Sequence, residues 1–218
     1  MLFSLLPLLV AGPASAATLE IGVDSDPGSA LGDAVVSAVP LSSDGEPVAA
    51  SAPVSGVQAM LAQRGHRFVP FVLPIRRGTE VLFPNYDDTR HHVYSFAEIR
   101  PFEIQLYKGD PDTTITFDRA GVAAVGCNIH DYMQAFVFVT DAPYFGVTDG
   151  ETGTLSLELP PGRYRLSAWH PWQGAAVADQ EVEVRAATPV QARFRFDLSP
   201  PPPRRPVENA LQKWIQSQ

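Results

Sequence analysis

The sequence predicts an all-β protein built from short strands packed as sandwiches. The 218 residues include 21 prolines and 16 glycines, and only 18% of the residues are charged. Long amphipathic stretches with helical periodicity are scarce, whereas short alternating runs of apolar and polar residues recur between turn residues. A chain of this length can form one large domain or two small ones, each with its own core.

Residues 1–16 have the pattern of a secretory signal peptide. An apolar run from Leu2 to Val10 is followed by Ala14-Ser15-Ala16, a small-x-small cleavage pattern. The run is too short for a membrane anchor, since a helix needs about 20 apolar residues to span a bilayer. We therefore expect a periplasmic or secreted protein with no membrane span in the mature chain.

The segment that follows predicts two strands and a loop. Residues 18–23 alternate like a strand, and residues 34–39 are interpreted as its hairpin partner, with turn residues from Asp24 to Gly28 between them. Residues 41–57 are rich in Ser, Ala, Pro and Gly and predict a surface loop.

The central part of the chain has the densest strand signals. Seven short strands in about seventy residues is a density typical of a sandwich. The predicted strands cover residues 68–74, 78–83, 92–96, 102–107, 112–117, 122–127 and 135–139.

The C-terminal part predicts further strands and then a stiff tail. Residues 153–169 are interpreted as a hairpin with a turn at Pro160-Pro161-Gly162, and strands are expected at 182–184 and 192–196. Residues 199–218 contain four consecutive prolines, which form an extended spacer, and a predicted short helix over residues 207–216.

The single cysteine of the chain lies in a run that favours metal binding. Cys127, His130 and Met133 are spaced three residues apart. A lone thiol in an exported chain has no disulfide partner within that chain, so it is buried, reactive, paired with another molecule or bound to metal. Thiolate, imidazole and a weak axial thioether are ligands of a type 1 copper site, which needs one more histidine. His91 and His92 are the candidates.

Each of these residues also has an interpretation that involves no metal. A lone cysteine is most often a small buried hydrophobic residue, and Met133 could belong to an ordinary core. A Cys-His pair could also be a nucleophile and its base, but no Asn or Asp that would orient the histidine stands in a recognisable motif. The joint occurrence of thiol, imidazole and thioether between apolar strands favours copper.

The central segment resembles the cupredoxins, and its ligand loop is most similar to the amicyanin type, in proteins often labelled methylamine-utilisation proteins. The matching residues are Gly78-x-x-Val81-x-Phe83-x-Asn85-x-Asp87-x-x-x-His91-x-Val93 and Cys127-x-x-His130-x-x-Met133. The resemblance implies a Greek-key sandwich in which His91, Cys127 and His130 form the strong plane of ligands and Met133 the axial one. His92 is the alternative to His91, and it stands where the family usually has an Asn that ties the ligand loops together.

The flanking segments resemble a second, transthyretin-like module of the kind appended to carboxypeptidases as a regulatory domain. The similarity covers residues 155–172, with Pro-Pro-Gly-Arg-Tyr at their centre, and the opening strands at 18–40. It implies a cupredoxin domain at 58–141 inserted into a smaller immunoglobulin- or transthyretin-like sandwich made from residues 18–57 and 142–198. The alternative is one enlarged sandwich with extra strands at both ends.

These observations predict a copper protein rather than an enzyme. The leading hypothesis is a monomeric single-electron carrier between periplasmic redox partner proteins. The alternative is a copper-binding or assembly protein that uses its sandwich to bind a partner. The net charge of −8 argues against nucleic-acid binding, which needs clustered Lys and Arg. The tract from Trp169 to Trp172 could hold a second metal or a sugar, or simply pack at the end of a sandwich.

Overall fold

The computed structural model describes residues 16–25, 28–48, 52–186 and 188–198. These residues form seventeen β-strands and no helix, so the all-β prediction is confirmed. The predicted signal peptide, except Ala16, and the predicted tail and helix at 199–218 lie outside this part of the chain. Among the residues described, no helix is long and apolar enough to cross a membrane.

Most strands are short, as the frequent turn residues predict. In chain order they are β1 (Ala17–Asp24), β2 (Val35–Pro40), β3 (Gln58–Met60), β4 (Ala62–Gln63), β5 (Phe68–Val69), β6 (Val72–Arg76), β7 (Thr79–Leu82), β8 (His91–Ser95), β9 (Phe102–Tyr107), β10 (Ile115–Phe117), β11 (Gly121–Cys127), β12 (Gln134–Thr140), β13 (Tyr144–Val147), β14 (Thr154–Leu159), β15 (Gly162–Trp169), β16 (Gln180–Val184) and β17 (Val190–Arg195).

The central strands form one sandwich. A five-stranded sheet in the order β6-β12-β11-β8-β9 packs against a three-stranded sheet in the order β10-β7-β3. Successive side chains of a strand point to opposite faces. In β11 this alternation buries Ala123, Val125 and Cys127, which join Phe83 and Phe117 in the core.

The flanking strands form a second sandwich around a separate core. Its sheets have the orders β14-β1-β17 and β13-β2-β15-β16. Strands from before Pro40 pair with strands from after Tyr144, as in Leu19 opposite Leu157 and Val36 opposite Ala168. The two ends of the described chain therefore share a sandwich that the central strands do not enter.

Two predicted hairpins are wrong. β1 and β2 lie in different sheets: β1 pairs with β14 and β17, whereas β2 pairs with β13 and β15. β14 and β15 also lie in different sheets, so the Pro160-Pro161 segment carries the chain from one sheet to the other. Proline has no N–H to donate to a strand ladder, which disfavours a paired hairpin there.

Other strand boundaries also differ from the prediction. The apolar run predicted as one strand at 68–74 is two strands, β5 paired with β4 and β6 paired with β12. β3, β4 and β13 were not predicted, because each is short and lacks a clear alternation of apolar and polar residues.

An aromatic contact joins the two sandwiches. Phe136 and Phe138 of β12 project from the outer face of the five-stranded sheet onto Trp169, with ring centroids 5.9 and 5.3 Å apart. Trp172 packs in the same way on Phe71 at 5.6 Å. The tryptophans of the 169–172 tract therefore pack between the sandwiches, as one of the sequence interpretations expected.

Candidate metal centre

The candidate centre lies at one end of the central sandwich, where β8 begins and β11 ends. His91 is the first residue of β8 and is fully buried, and Cys127 is the last residue of β11, with 2% of its surface exposed. The loop of residues 128–133 then leads into β12 and carries His130. Antiparallel pairing of β8 with β11 brings the start of β8 close to the end of β11, although His91 and Cys127 are far apart in sequence.

Three donor atoms converge at this end. Cys127 Sγ lies 3.8 Å from His91 Nδ1 and 3.7 Å from His130 Nδ1, and the two Nδ1 atoms are 3.1 Å apart. Both imidazoles therefore present the same ring nitrogen to the thiol. Within the part of the chain that the structure describes, this is the one cluster of His, Cys, Asp or Glu side chains arranged closely enough to share a metal ion.

The loop that carries His130 is tightened by its own backbone. Met133 N–H donates to the His130 carbonyl at 2.8 Å, and Cys127 N–H donates to the Met133 carbonyl at 3.2 Å. These bonds close the three-residue spacings seen in the sequence into a compact turn. Met133 is 2% exposed and belongs to the same buried cluster as Cys127.

Asp87 holds His91 from the side opposite the thiol. Its Oδ2 lies 2.8 Å from His91 Nε2, and its carboxylate also accepts N–H groups from Gly65 at 2.6 Å and His66 at 3.0 Å. Burial raises the pKa of Asp87, but the hydrogen bonds from His66, His91 and Gly65 outweigh it, so the pKa lies below its ordinary value. An ionised carboxylate only accepts, so His91 carries its proton on Nε2.

Asn85 closes the segment that leads to His91. This buried side chain donates to the carbonyls of Thr89 at 2.9 Å and Tyr107 at 3.0 Å, and its own Oδ1 accepts Asp87 N–H at 2.9 Å. The segment between β7 and β8 is therefore fixed at the backbone of Asp87 and at that of Thr89, two residues before His91.

His92 does not join the cluster. Its Nε2 lies 2.8 Å from Glu103 Oε1 on β9, while its backbone carbonyl accepts Asn128 N–H at 3.2 Å. His91 and His92 are adjacent in β8, and successive side chains of a strand point to opposite faces, so the two imidazoles diverge. The two loops that carry the candidate ligands are therefore tied at this position by the backbone carbonyl of His92 rather than by its imidazole.

The imidazole of His130 has no carboxylate partner like the one that Asp87 provides for His91 among the described residues. Its pKa lies below its ordinary value, first because of burial and then because of the neighbouring His91 and His66, which favours the neutral form that binds metal. Its ring is flanked by His66, with centroids 5.0 Å apart, and by Tyr132 at 5.9 Å.

Sequence reasoning missed two members of this arrangement. Asp87 was noted only as part of a family pattern, and His66 was given no role. The expectation that no Asp orients a histidine beside Cys127 is wrong, because Asp87 bonds His91. A carboxylate four residues before a histidine was the available signal, whereas nothing in the sequence around His66 indicates its position.

The donor set fits copper. His91 is protonated on Nε2, so a neutral ring has a lone pair on Nδ1, directed toward His130 Nδ1 and the thiol sulfur. Two nitrogen lone pairs at 3.1 Å repel each other unless a proton or a cation lies between them. One soft sulfur and two imidazoles, with Met133 buried beside Cys127, match the preference of copper among the common metals.

Comparison with known proteins finds partial likenesses to copper proteins of known structure. A copper-containing nitrite reductase from Thermus scotoductus SA-01 is 26% identical over 46% of this chain, with a TM-score of 0.34. Amicyanin from Paracoccus versutus is 21% identical over 46% of this chain and 90% of its own length (TM-score 0.32). A purple cupredoxin from Nitrosopumilus maritimus is 21% identical over 38% of this chain and 99% of its own length (TM-score 0.34).

These likenesses are limited in extent. The matched part spans only 25% of the nitrite reductase. No protein-family model and no curated protein matches the chain. Because all three TM-scores are below 0.5, the chemistry of the site is inferred from its own side chains.

Proposed function

We propose that the protein is an exported type 1 copper protein that carries single electrons between redox partner proteins. His91, Cys127 and His130 would hold the metal, and the thioether of the buried Met133 would be a further, weaker donor. The convergence of one thiol sulfur and two Nδ1 atoms within 3.1 to 3.8 Å of one another carries the proposal. When bound there, copper supplies reversible one-electron exchange.

The surrounding residues hold the candidate ligands rigidly and leave one of them partly accessible to a redox partner. Asp87 fixes the tautomer and ring direction of His91, and the sheet holds Cys127 in the core. A site whose ligands are held in place by surrounding contacts changes little between two oxidation states, which suits electron transfer. His130 is half-buried and lies beside the exposed Ile129, so it offers the shortest route from the cluster to a docked partner.

We propose that residues 58–141 form a cupredoxin domain inserted into a second, transthyretin-like sandwich. The pairing of β1 with β14 and β17, and of β2 with β13 and β15, supports this arrangement. The second sandwich covers Phe136 and Phe138 on the outer face of the sheet that carries Cys127. It would therefore brace the copper domain.

A second candidate is a thiol enzyme, which the order Asp87, His91, Cys127 favours. In such a site a carboxylate orients a histidine that takes the proton of a nucleophile. Here the thiol is 2% exposed and a second imidazole, His130, also faces the sulfur. A buried sulfur with two nitrogen neighbours is suited to binding a metal and poorly suited to attacking a substrate.

Optical titration with copper sulfate separates the candidates. An electron carrier should take up one copper ion and develop an intense thiolate-to-copper band at about 600 nm. The band should bleach with ascorbate and return with ferricyanide. A colourless copper-loaded protein would contradict the carrier and leave the alternative of copper storage or assembly. Rapid alkylation of Cys127 in the folded metal-free protein would favour the thiol enzyme.

A further inference from the structure

The turn between β4 and β5 places a third imidazole at the candidate metal centre. Gly65 and His66 both have positive φ, at 61° and 57°, and Arg64 N–H donates to the Arg67 carbonyl at 2.9 Å. This is the conformation of a tight two-residue hairpin turn, whose usual residues at the second position are Gly and Asn. Positive φ is uncommon for residues other than glycine, although histidine adopts it more readily than most, and it persists where surrounding contacts determine it.

The two residues at the tip of this turn also contact the metal centre. The N–H groups of Gly65 and His66 donate to the two carboxylate oxygens of Asp87, the residue that also bonds His91. His66 Nε2 lies 3.2 Å from Thr89 Oγ1, within hydrogen-bonding distance and in the segment just before His91. The backbone and the ring of His66 are therefore fixed independently.

The ring of His66 packs on both candidate ligand histidines. Its centroid lies 5.6 Å from that of His91 and 5.0 Å from that of His130, with interplanar angles of 86° and 82°. His91 is also held by Asp87, whereas His130 lies on a loop and its imidazole contacts Cys127 Sγ, His91 Nδ1 and three neighbouring rings. One of these rings is that of His91, 4.9 Å away, and the other two belong to His66 and Tyr132, which are not candidate ligands.

We propose that His66 is a positioning residue that keeps the imidazole of His130 directed at Cys127. The inference rests on the proposed copper site and adds to it a residue that is not itself a ligand. The left-handed turn is the device that brings the ring into place. Without the ring, the His130 carbonyl still accepts Met133 N–H, but the imidazole loses one of the three rings around it.

Substitution by glycine separates the ring from the backbone. His66→Gly removes the imidazole and suits the left-handed conformation, so the fold should be retained. Asp33 also has positive φ, at 60°, in the segment between β1 and β2, so Asp33→Gly is the matched control. His66→Asn is a second variant without the ring, because asparagine also tolerates this conformation.

The full chain and its three variants are loaded with copper sulfate and compared by visible absorption and electron paramagnetic resonance. Copper loss to a chelator is then timed. We expect unfolding temperatures at or above that of the original chain for His66→Gly and Asp33→Gly. Only the His66 variants should show altered copper spectra. Their rate of copper loss should be about threefold to tenfold higher, the factor that corresponds to the energy of one aromatic contact. Unchanged spectra and release rates in both His66 variants, or equal changes in Asp33→Gly, would overturn the proposal.

A measurement on the metal-free protein distinguishes failure of this inference from failure of the copper site. Imidazole nuclear magnetic resonance should show a single set of signals for His130 in the original chain and in Asp33→Gly. His66→Gly should show broadened or multiple signals for that ring. If the original chain binds no copper through Cys127, the proposed function fails, and this measurement still decides the role of His66: unchanged His130 signals would refute it.

Discussion

The imidazole of His91 is bonded on opposite sides to two different kinds of group. Nε2 lies 2.8 Å from the Asp87 carboxylate, and Nδ1 lies 3.8 Å from the thiol sulfur of Cys127. The carboxylate is ionised and accepts three hydrogen bonds, so its position does not depend on His91 alone. This contact orients the buried histidine before any metal arrives.

Asp87→Asn should weaken copper binding about tenfold to a hundredfold, the usual effect of losing a residue that orients a metal ligand. The amide has no negative charge and can present an N–H to His91, which disfavours the Nε2-protonated ring. Competition with a copper chelator measures the affinity. Asp88→Asn is the control, because the exposed Asp88 bonds Lys108 at 3.0 Å on the protein surface and should leave the affinity unchanged. Equal affinities for all three proteins would refute the role of Asp87.

The adjacent histidines give a matched pair of variants. His91→Ala should abolish the band at about 600 nm, because it removes one of the two imidazoles that face the thiol. His92→Ala should retain the band and lose about 1 kcal/mol of stability through its contact with Glu103. Absorption after copper addition and urea unfolding check the two effects. The reverse pattern would make His92 the ligand.

Met133→Leu should keep the fold and change the reduction potential. The substitution conserves volume in the buried cluster and should cost less than about 1.5 kcal/mol of stability. Oxidised copper is less stabilised when the thioether donor is absent, so the midpoint potential should rise. Spectroelectrochemical titration measures it. A potential equal to that of the original chain would show that Met133 is only a core residue.

Stability should fall in mild acid because of His170. This histidine is 1% exposed, and burial lowers its pKa to about 4 from an ordinary value of 6.5. Its Nδ1 accepts Trp172 N–H at 3.2 Å, which requires the unprotonated nitrogen. The folded pKa is depressed, so this stability is present above pH 6.5 and is lost as the pH falls from 6.5 toward 4.

The free energy of unfolding in urea should therefore decrease by about 2 kcal/mol between pH 7 and pH 5 through this residue alone. His170→Gln should be less stable at pH 7 but should show a smaller decrease over the same range. Parallel decreases in the two proteins would assign the acid sensitivity to other groups.

The sequence predicted those parts of the site that depend on local spacing. Cys127, His130 and Met133 lie in one turn between two paired strands, so their separation along the chain nearly determines their separation in space. The choice between His91 and His92 depended on which of two adjacent residues of β8 lies on the side of Cys127, and the pairing of β8 with β11 joins residues too far apart in the chain to leave a local signal. His66 could not be found, because a turn in another sheet brings it to the centre through hydrogen bonds to Asp87.

The fold shows the same division. Alternation of apolar and polar residues predicted β1, β7, β9 and β11 as strands, since one face of each is buried. It could not assign strands to sheets, and the expected hairpins of β1 with β2 and of β14 with β15 were wrong. Pairing across more than a hundred residues, such as Ile21 with Leu155, depends on matching of whole faces and leaves no local signal.

X-ray absorption of the copper-loaded protein tests the central claim most directly, because it counts the atoms bound to the metal. The account predicts one bound copper per chain with one short sulfur contact and two imidazole nitrogens, and loss of the sulfur contact in Cys127→Ser. A copper ion surrounded only by nitrogen and oxygen, or an environment that Cys127→Ser leaves unchanged, would contradict a site formed by His91, Cys127 and His130.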